Sequence, residues 1–302
     1  MSDSSEPVVL VTGATGQVGF ELLRSLQGLG RVVAPDRHTL DLTDFDQIRR
    51  VMSEVKPDIV INPAAYTAVD QAETDVDIAM RMNGLAPGVL AEEAKRIGAA
   101  VIHYSTDYVF DGTKDGAYDE DDPTGPLNVY GKSKLAGEQA IQQVGGRHLI
   151  FRTSWVYGTR GRNFLRTMLR LAEQHPQLRV VADQVGAPTW SGTIAAMTAH
   201  VVADALHSGR GSENWWDRHA GLYHLTASGA TSWAGFAEAI FELAATVAQG
   251  ARPEVIPITS DEYPMRAARP MNSRLSTTRL TATFGIRPPH WRDALQLCVA
   301  NL

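Results

Sequence analysis

Pro7-Val8-Val9-Leu10-Val11-Thr12-Gly13-Ala14-Thr15-Gly16-Gln17-Val18-Gly19 decides how this chain folds. Its first six residues make a short β-branched apolar run, suited to a parallel strand buried on both faces. Glycines follow at 13, 16 and 19, and an amphipathic run continues to about Leu29. A strand that turns through spaced glycines into a helix is a dinucleotide-binding turn. The first glycine permits the tight turn, the second lets a pyrophosphate approach the backbone, and the third lets the helix lie close on the strand. Free N–H groups at the helix start face the phosphates. Thr15, Gln17 and Val18 are therefore candidate cofactor contacts together with Gly13, Gly16 and Gly19.

The alternation of strand and helix repeats downstream. Arg31 to Pro35 reads as a second strand, ending at Asp36-Arg37. An acidic residue about 20 positions past the glycines accepts the ribose hydroxyls of NAD, whereas an arginine there holds the 2′-phosphate of NADP. Both stand side by side, which leaves NADPH and NADH open. Asp41-Leu42 lead into a helix and also border the expected cofactor site. Pro57 to Asn62 is a third strand, and the small residues after it, with Ala64-Ala65-Tyr66, let a cofactor lie close. Residues 76–98 predict one long helix, kinked by Pro87. Ala99 to Tyr104 is a fourth strand that delivers Ser105 and Thr106 to the same sheet edge, where open α/β sheets bind ligands. The pattern predicts an α/β chain: a Rossmann-like doubly wound parallel sheet over residues 1–160, with about 177–207 joining it. A smaller C-terminal α/β substrate domain takes most of 161–302, including a turn-rich segment at 208–221.

The chain has 302 residues, is 44% hydrophobic and carries a formal net charge of -6. That composition builds a sizeable core and gives no electrostatic footprint for nucleic acid. One cysteine, Cys298, supports neither an intrachain disulfide nor a cysteine-rich metal site. The polar start, Met1 to Pro7, lacks the basic stretch of a signal peptide, and no apolar run approaches the roughly 20 residues of a membrane span. A cytoplasmic chain that engages neither membrane nor nucleic acid is expected.

Tyr130 and Lys134 stand four apart, hence on one face of a helix, after a long acidic loop from Asp107. Reduction of a carbonyl needs hydride on carbon and a proton on oxygen. A phenol with a pKa near ~10 is a poor acid–base group at neutral pH, and a cation one turn away brings it towards working pH. Tyr130 is thus the candidate proton donor. Lys134 is its tuner and a holder of the nicotinamide ribose, and Thr106 is the partner of the substrate oxygen.

Thr12 to Gly19 and Tyr130-Gly131-Lys132-Ser133-Lys134 resemble the extended branch of the short-chain dehydrogenase/reductase superfamily. A closer resemblance is to the dTDP-4-dehydrorhamnose reductase family. It rests on Asn62 to Asp70, Ser105-Thr106-Asp107-Tyr108-Val109-Phe110-Asp111-Gly112, Arg152 to Tyr157, Asp183 to Thr189 and Arg269-Pro270-Met271-Asn272-Ser273. The resemblance implies NAD(P)H-dependent reduction of the C4 ketone of a dTDP-linked 4-dehydrorhamnose. It also implies that Thr106, Asp107, Val69, Trp155 and Arg269 lie on the substrate side. Some members of the family are dimers bridged by Mg²⁺ through glutamates, and Glu21 matches one such position. The chain departs elsewhere, with Trp190-Ser191-Gly192 after Thr189 and Arg292-Asp293 near the C-terminus. One carboxylate is too few for a hard cation, so no metal is expected. Glu21 reads as a solvated helix charge and the chain as a monomer or weak homodimer. Two other classes share this fold. One is the NADP-binding regulatory subunit of methionine adenosyltransferase, which intact Thr106, Tyr130 and Lys134 weigh against. The other is the extended-branch epimerases and dehydratases, of which a dehydratase wants a glutamate where Tyr108 stands.

Overall fold

The computed structural model describes residues 6–208, 213–248 and 252–302. Met1–Ser5 of the polar start and residues 209–212 of the turn-rich segment lie outside the described residues. Val8–Val11 forms strand β1 and Gln17–Ser25 helix α1; β2 (Arg31–Val33), α2 (Phe45–Val55) and β3 (Ile59–Asn62) follow. Asp44 starts α2 by accepting from the N–H groups of Asp46 and Gln47.

The long helix predicted over 76–98 is divided. Short helices α3 (Val69–Ala72) and α4 (Val76–Ala79) run into a π-helical turn, Met80–Leu85, before α5 (Ala86–Ile97). Then come β4 (Ala100–Thr106), α6 (Val129–Val144) and β5 (His148–Thr153). The winding changes at Asn83-Gly84, ahead of Pro87, because Pro87 has no N–H for the carbonyl four residues back. That carbonyl, of Asn83, lies instead against α6, so close that a Cβ on Gly137 would be 2.2 Å from its oxygen.

The remaining elements are β6 (Val156–Tyr157), α7 (Phe164–Ala172), β7 (Gln177–Val181), β8 (Val185–Gly186), β9 (Thr189–Trp190), α8 (Ser191–His207), α9 (Glu213–His219), β10 (Gly221–His224), β11 (Thr231–Ser232), α10 (Trp233–Ala248), β12 (Glu254–Ile258), β13 (Asn272–Ser273), α11 (Thr278–Phe284) and α12 (Trp291–Val299). The main sheet is parallel, with strand order β10-β5-β4-β3-β1-β2. Alternate residues of a strand face opposite layers. Val9 and Val11 pack with Leu22 of α1 and Ile194 of α8, while Leu10 packs with Ile48 of α2 and Leu90 of α5. This is the doubly wound α/β fold that the sequence predicts.

The segment 177–207 does not join that sheet as one piece. α8 does pack in the α1 layer. β7 instead pairs with β12, and its Leu178 and Val180 enter a second core with Phe236, Ile240 and Trp291. The reason lies in its alternation. Gln177 and Arg179 are exposed, so β7 has one face to bury, whereas a strand of the parallel sheet has two. Conversely, β10, far along the chain, supplies the sixth strand of the main sheet. Among the described residues no helix is long and apolar enough to cross a membrane.

A buried ion pair fastens α6 to β5. The Arg152 guanidinium donates to both oxygens of Glu138, at 2.9 and 2.7 Å, with side chains 4% and 2% exposed. Breaking such a pair leaves a buried charge uncompensated, at a cost of about 3–5 kcal/mol. Glu138→Ala is expected to lower the unfolding free energy in urea by about 3 kcal/mol, and adding Arg152→Met to recover much of that loss. A single variant as stable as the unsubstituted protein would show that the pair does not hold α6.

Candidate active site

A cleft of about 750 Å³ opens at the C-terminal edge of the main sheet. It lies where the strand order reverses between β1 and β3, the place at which open α/β sheets take their ligands. One wall is the loop Gly13 to Gly19. Gly13 has φ +55°, and a Cβ on Gly19 would stand 2.2 Å from the Gly13 carbonyl oxygen. No side chain caps the start of α1 at Gly16. Its first N–H groups are left for an anion, which is the cradle that a dinucleotide pyrophosphate requires. Thr15, Gln17 and Val18 line the same wall.

Asp36, Arg37, Asp41 and Leu42 border the far end of the cleft. The Thr39 N–H donates to Asp36 at 2.9 Å and holds its carboxyl below the usual range. The Arg37 guanidinium, 80% exposed, lies 3.7 Å from Asp41. Acceptors and a cation therefore meet at the adenosine end, which fits either dinucleotide. Ala64 and Ala65 form the floor, but Tyr66 does not line the cleft. Its N–H and C=O are clasped by the Asn83 side chain, at 2.8 and 3.0 Å, and its phenol donates to Asp75 at 2.8 Å. Its backbone and its phenol are both held by partners outside the cleft lining.

The other wall carries the hydroxyls. Thr106 ends β4, and its Oγ1 donates to Asp107 Oδ1 at 2.9 Å and accepts from the Tyr108 N–H at 3.2 Å; the Tyr130 phenol lines the same wall. Tyr130 sits in the first turn of α6, which Asn128 caps by accepting from the Gly131 N–H at 2.8 Å. Desolvation pushes the Tyr130 phenol above its ordinary range, outweighing the Thr106 hydrogen bond. Lys134 is 2% exposed and donates to the Tyr104 carbonyl at 2.5 Å, with His103 Nε2 at 3.3 Å. Burial lowers it to about 8. Lys134 lies on the same helix face as Tyr130, one turn on, and its amine is held by the Tyr104 carbonyl of β4. Tyr130 stands as a protonated phenol, ready to give its proton.

Asp107 lines the cleft at 2% exposure, and its Oδ2 has no hydrogen-bond partner. Desolvation raises it to about 6 against hydrogen bonds from Ser273 and Thr106. Val69 and Trp155 also line the cleft. Trp155 holds the left-handed conformation at φ +47° and stacks on Trp233 at 3.6 Å and 9°. Strain of this kind persists where surrounding structure over-determines it, and Gly186 leaves the room for that indole. Arg269 is not on the cleft wall. It pairs with Asp70 at 2.7 Å and lies 5.6 Å over Tyr108, which is on the wall. The aspartate holds the guanidinium behind that ring.

Two residues were not singled out from sequence. Asn83 joins Tyr66 to Ser133 of α6 (3.0 Å), and Trp233 backs Trp155. The Asn83-Gly84 break in a helical pattern was a signal for the first; nothing local marked the second. Glu21 differs from its expected solvated state. It is 8% exposed, not solvated, and its carboxylate faces Arg24 at 3.5 Å. Among the described residues no three His, Cys, Asp or Glu side chains gather to hold a metal ion.

The raised Asp107 gives a pH signature. Its folded value of about 6 exceeds the reference 3.8. Its contribution to stability is therefore full below the lower value and is lost as pH rises through the upper one. Relative to Asp107→Asn, the unsubstituted protein should lose about 2 kcal/mol of unfolding free energy between about pH 4 and about pH 7, measured in urea. A difference that does not vary with pH would contradict this reading of Asp107.

Comparison with known proteins bears on this geometry. The family model described as "RmlD substrate binding domain" matches residues 7–302. The chain is 51% identical to a dTDP-4-dehydrorhamnose reductase of Burkholderia thailandensis, over 97% of this chain and 98% of that protein. It is 44% identical to the dTDP-4-dehydrorhamnose reductase of Escherichia coli K12, over 97% of each. The crystal structure of a dTDP-4-dehydrorhamnose reductase from Bacillus anthracis in complex with NADP superposes with a TM-score of 0.89 at 34% identity, covering 99% of this chain and all of that one. The chain belongs to the dTDP-4-dehydrorhamnose reductase family.

Proposed function

We propose that this chain reduces the C4 ketone of dTDP-4-dehydro-β-L-rhamnose to dTDP-β-L-rhamnose with NADPH, NADH being the second cofactor that Asp36 admits. The observation that carries this reading is the placement of Thr106, Tyr130 and Lys134 on the wall of a cleft that the loop from Gly13 to Gly19 also lines. The bound nicotinamide supplies a hydride.

Everything else falls to the chain. The uncapped start of α1 and the backbone from Gly13 to Gly19 take the pyrophosphate. Asp36 and Arg37 meet the adenosine end. Thr106 and Tyr130 receive the ketone oxygen, and Tyr130 transfers its proton to that oxygen as C4 gains the hydride. Asp107 accepts the Thr106 hydrogen bond in the cleft as it stands, and that O–H turns to the ketone oxygen when the sugar nucleotide binds. Burial keeps Tyr130 in the acid form that reduction consumes. Lys134 holds the ribose side of the site from beneath. Trp155 and Val69 wall the sugar, with Trp233 and Arg269 supporting from behind. In this reading residues 1–160 together with α8 hold the cofactor, and the core around Phe236 holds the sugar nucleotide. Tyr108 follows Asp107 where a dehydratase wants a glutamate, and the named relatives favour neither an epimerase nor a regulatory subunit.

The test is oxidation of NADPH when the 4-keto sugar nucleotide is generated in situ. Tyr130→Phe is expected to lower kcat by about 10²–10⁴-fold while NADPH binding, followed by fluorescence, is retained. Turnover by this variant at the unsubstituted rate would remove Tyr130 as the donor. No cofactor consumption by the unsubstituted protein would overturn the reductase reading.

A further inference from the structure

Behind the substrate wall a chain of buried polar side chains runs from Lys134 to the dinucleotide loop. Lys134 Nζ is 3.3 Å from His103 Nε2. His103 Nδ1 is 3.1 Å from Asn62 Nδ2, and Thr12 Oγ1 donates to Asn62 Oδ1 at 2.6 Å. None of the four residues is more than 2% exposed. Sheet register builds the chain. Asn62 of β3 pairs with His103 of β4, and the Thr12 N–H donates to the Ile61 carbonyl at 3.0 Å.

The chain has a direction. Burial, together with the nearby Lys134 charge, holds His103 well below its usual range, so the ring is neutral and carries one proton. In the arrangement seen, Thr12 donates to Asn62 and the Asn62 amide N–H points at His103 Nδ1. Nδ1 then accepts, and the ring proton is on Nε2, facing Lys134. An ammonium has donors only, so this direction matches an uncharged Lys134. The ammonium form needs Nε2 as an acceptor. The proton then moves to Nδ1, the Asn62 amide turns over to accept it, and Thr12 becomes the acceptor of the amide N–H. In that state the Thr12 hydroxyl proton is free to point into the cleft, whose wall includes Thr12.

We infer that His103 is a positioning residue for Lys134, and that the Thr12–Asn62–His103 chain reverses its hydrogen-bond direction when Lys134 changes charge. Among the described residues, the titratable groups bearing on Lys134 are few. His103 faces it from β4. Glu138 lies on its own helix, already paired with Arg152 of β5. Tyr130 and Asp107 lie at the substrate end. β1 and β3 bring only the neutral Thr12 and Asn62. The switch thus joins the charge of the active-site lysine to the hydroxyl beneath the glycine loop.

Two-bond ¹H–¹⁵N correlation of the His103 ring in the ligand-free protein tests this without any activity, the signal being assigned by its loss in His103→Gln. The ring should stay neutral from about pH 6 to about pH 10 while its proton moves from Nδ1 to Nε2, with a midpoint at the lowered Lys134 value of about 8. A tautomer that does not change across that range overturns the inference. A second arm rests on the reductase reading and so fails separately. His103→Leu, lacking an acceptor for Lys134, should move the alkaline limb of kcat/KM towards acid by about one pH unit. His103→Gln, which keeps an acceptor, should leave that limb near its original position. An unmoved limb in His103→Leu would deny the positioning role.

Discussion

The burial of α6 against its neighbours is the constraint on which the site depends. This one helix carries Tyr130 to the cleft and Lys134 beneath it. Its backbone meets the Asn83 carbonyl at Gly137, with no space for a Cβ between them. Its Ser133 is tied to Asn83, and its Glu138 to Arg152. Each tie comes from a different part of the chain: the π turn, strand β5 and, through Lys134, the carbonyl of Tyr104 on β4. Buried polar groups cost free energy unless paired. These pairings are therefore selective, because α6 fits where all of them close and nowhere else. The positions of a phenol and an ammonium follow from that fit.

The same logic separates the roles of the two walls. The glycine wall works by absence of side chains, offering backbone N–H groups and close approach. The hydroxyl wall works by dense pairing, with Thr106 shared between Asp107 and the Tyr108 N–H beside the buried Tyr130. Water is displaced from that second wall. This raises the Tyr130 phenol and the Asp107 carboxyl and lowers Lys134. All three shifts favour the neutral form, as removal of solvent from an ionisable group requires. A site biased this way holds its protons on oxygen, which suits delivery of one to a ketone.

What was legible in the sequence was what local chemistry dictates. The spaced glycines after β1, the strand–helix alternation and the four-residue spacing of Tyr130 and Lys134 each follow from backbone sterics or helix period. Their consequences, the doubly wound sheet and a cleft at its C-terminal edge, agree with the structure. The rest depends on tertiary neighbours. Tyr66 looked like cofactor floor, but it is not among the residues of the cleft wall, and its backbone is held by Asn83, 17 residues away. Arg269 was expected on the substrate side, and the pairing with Asp70 that sets it over the Tyr108 ring joins residues 199 apart. Glu21 looked solvated, yet it is buried beside Arg24. The departure of β7 to the second core was foreshadowed by its one-faced pattern, which short length made easy to pass over. The partners of Lys134 were invisible, since nothing near residue 134 announces a carbonyl on β4.

The central claim is that the chain moves a hydride to C4 of a sugar nucleotide and a proton to the oxygen beside it. The most direct measurement uses NADPH deuterated at both C4 positions of the nicotinamide, with dTDP-4-dehydro-β-L-rhamnose, and locates the label by NMR of the product. The account predicts one deuterium at C4 of the resulting sugar, at the carbon that bore the ketone. Product carrying no label at C4, or label at another ring carbon, would contradict it.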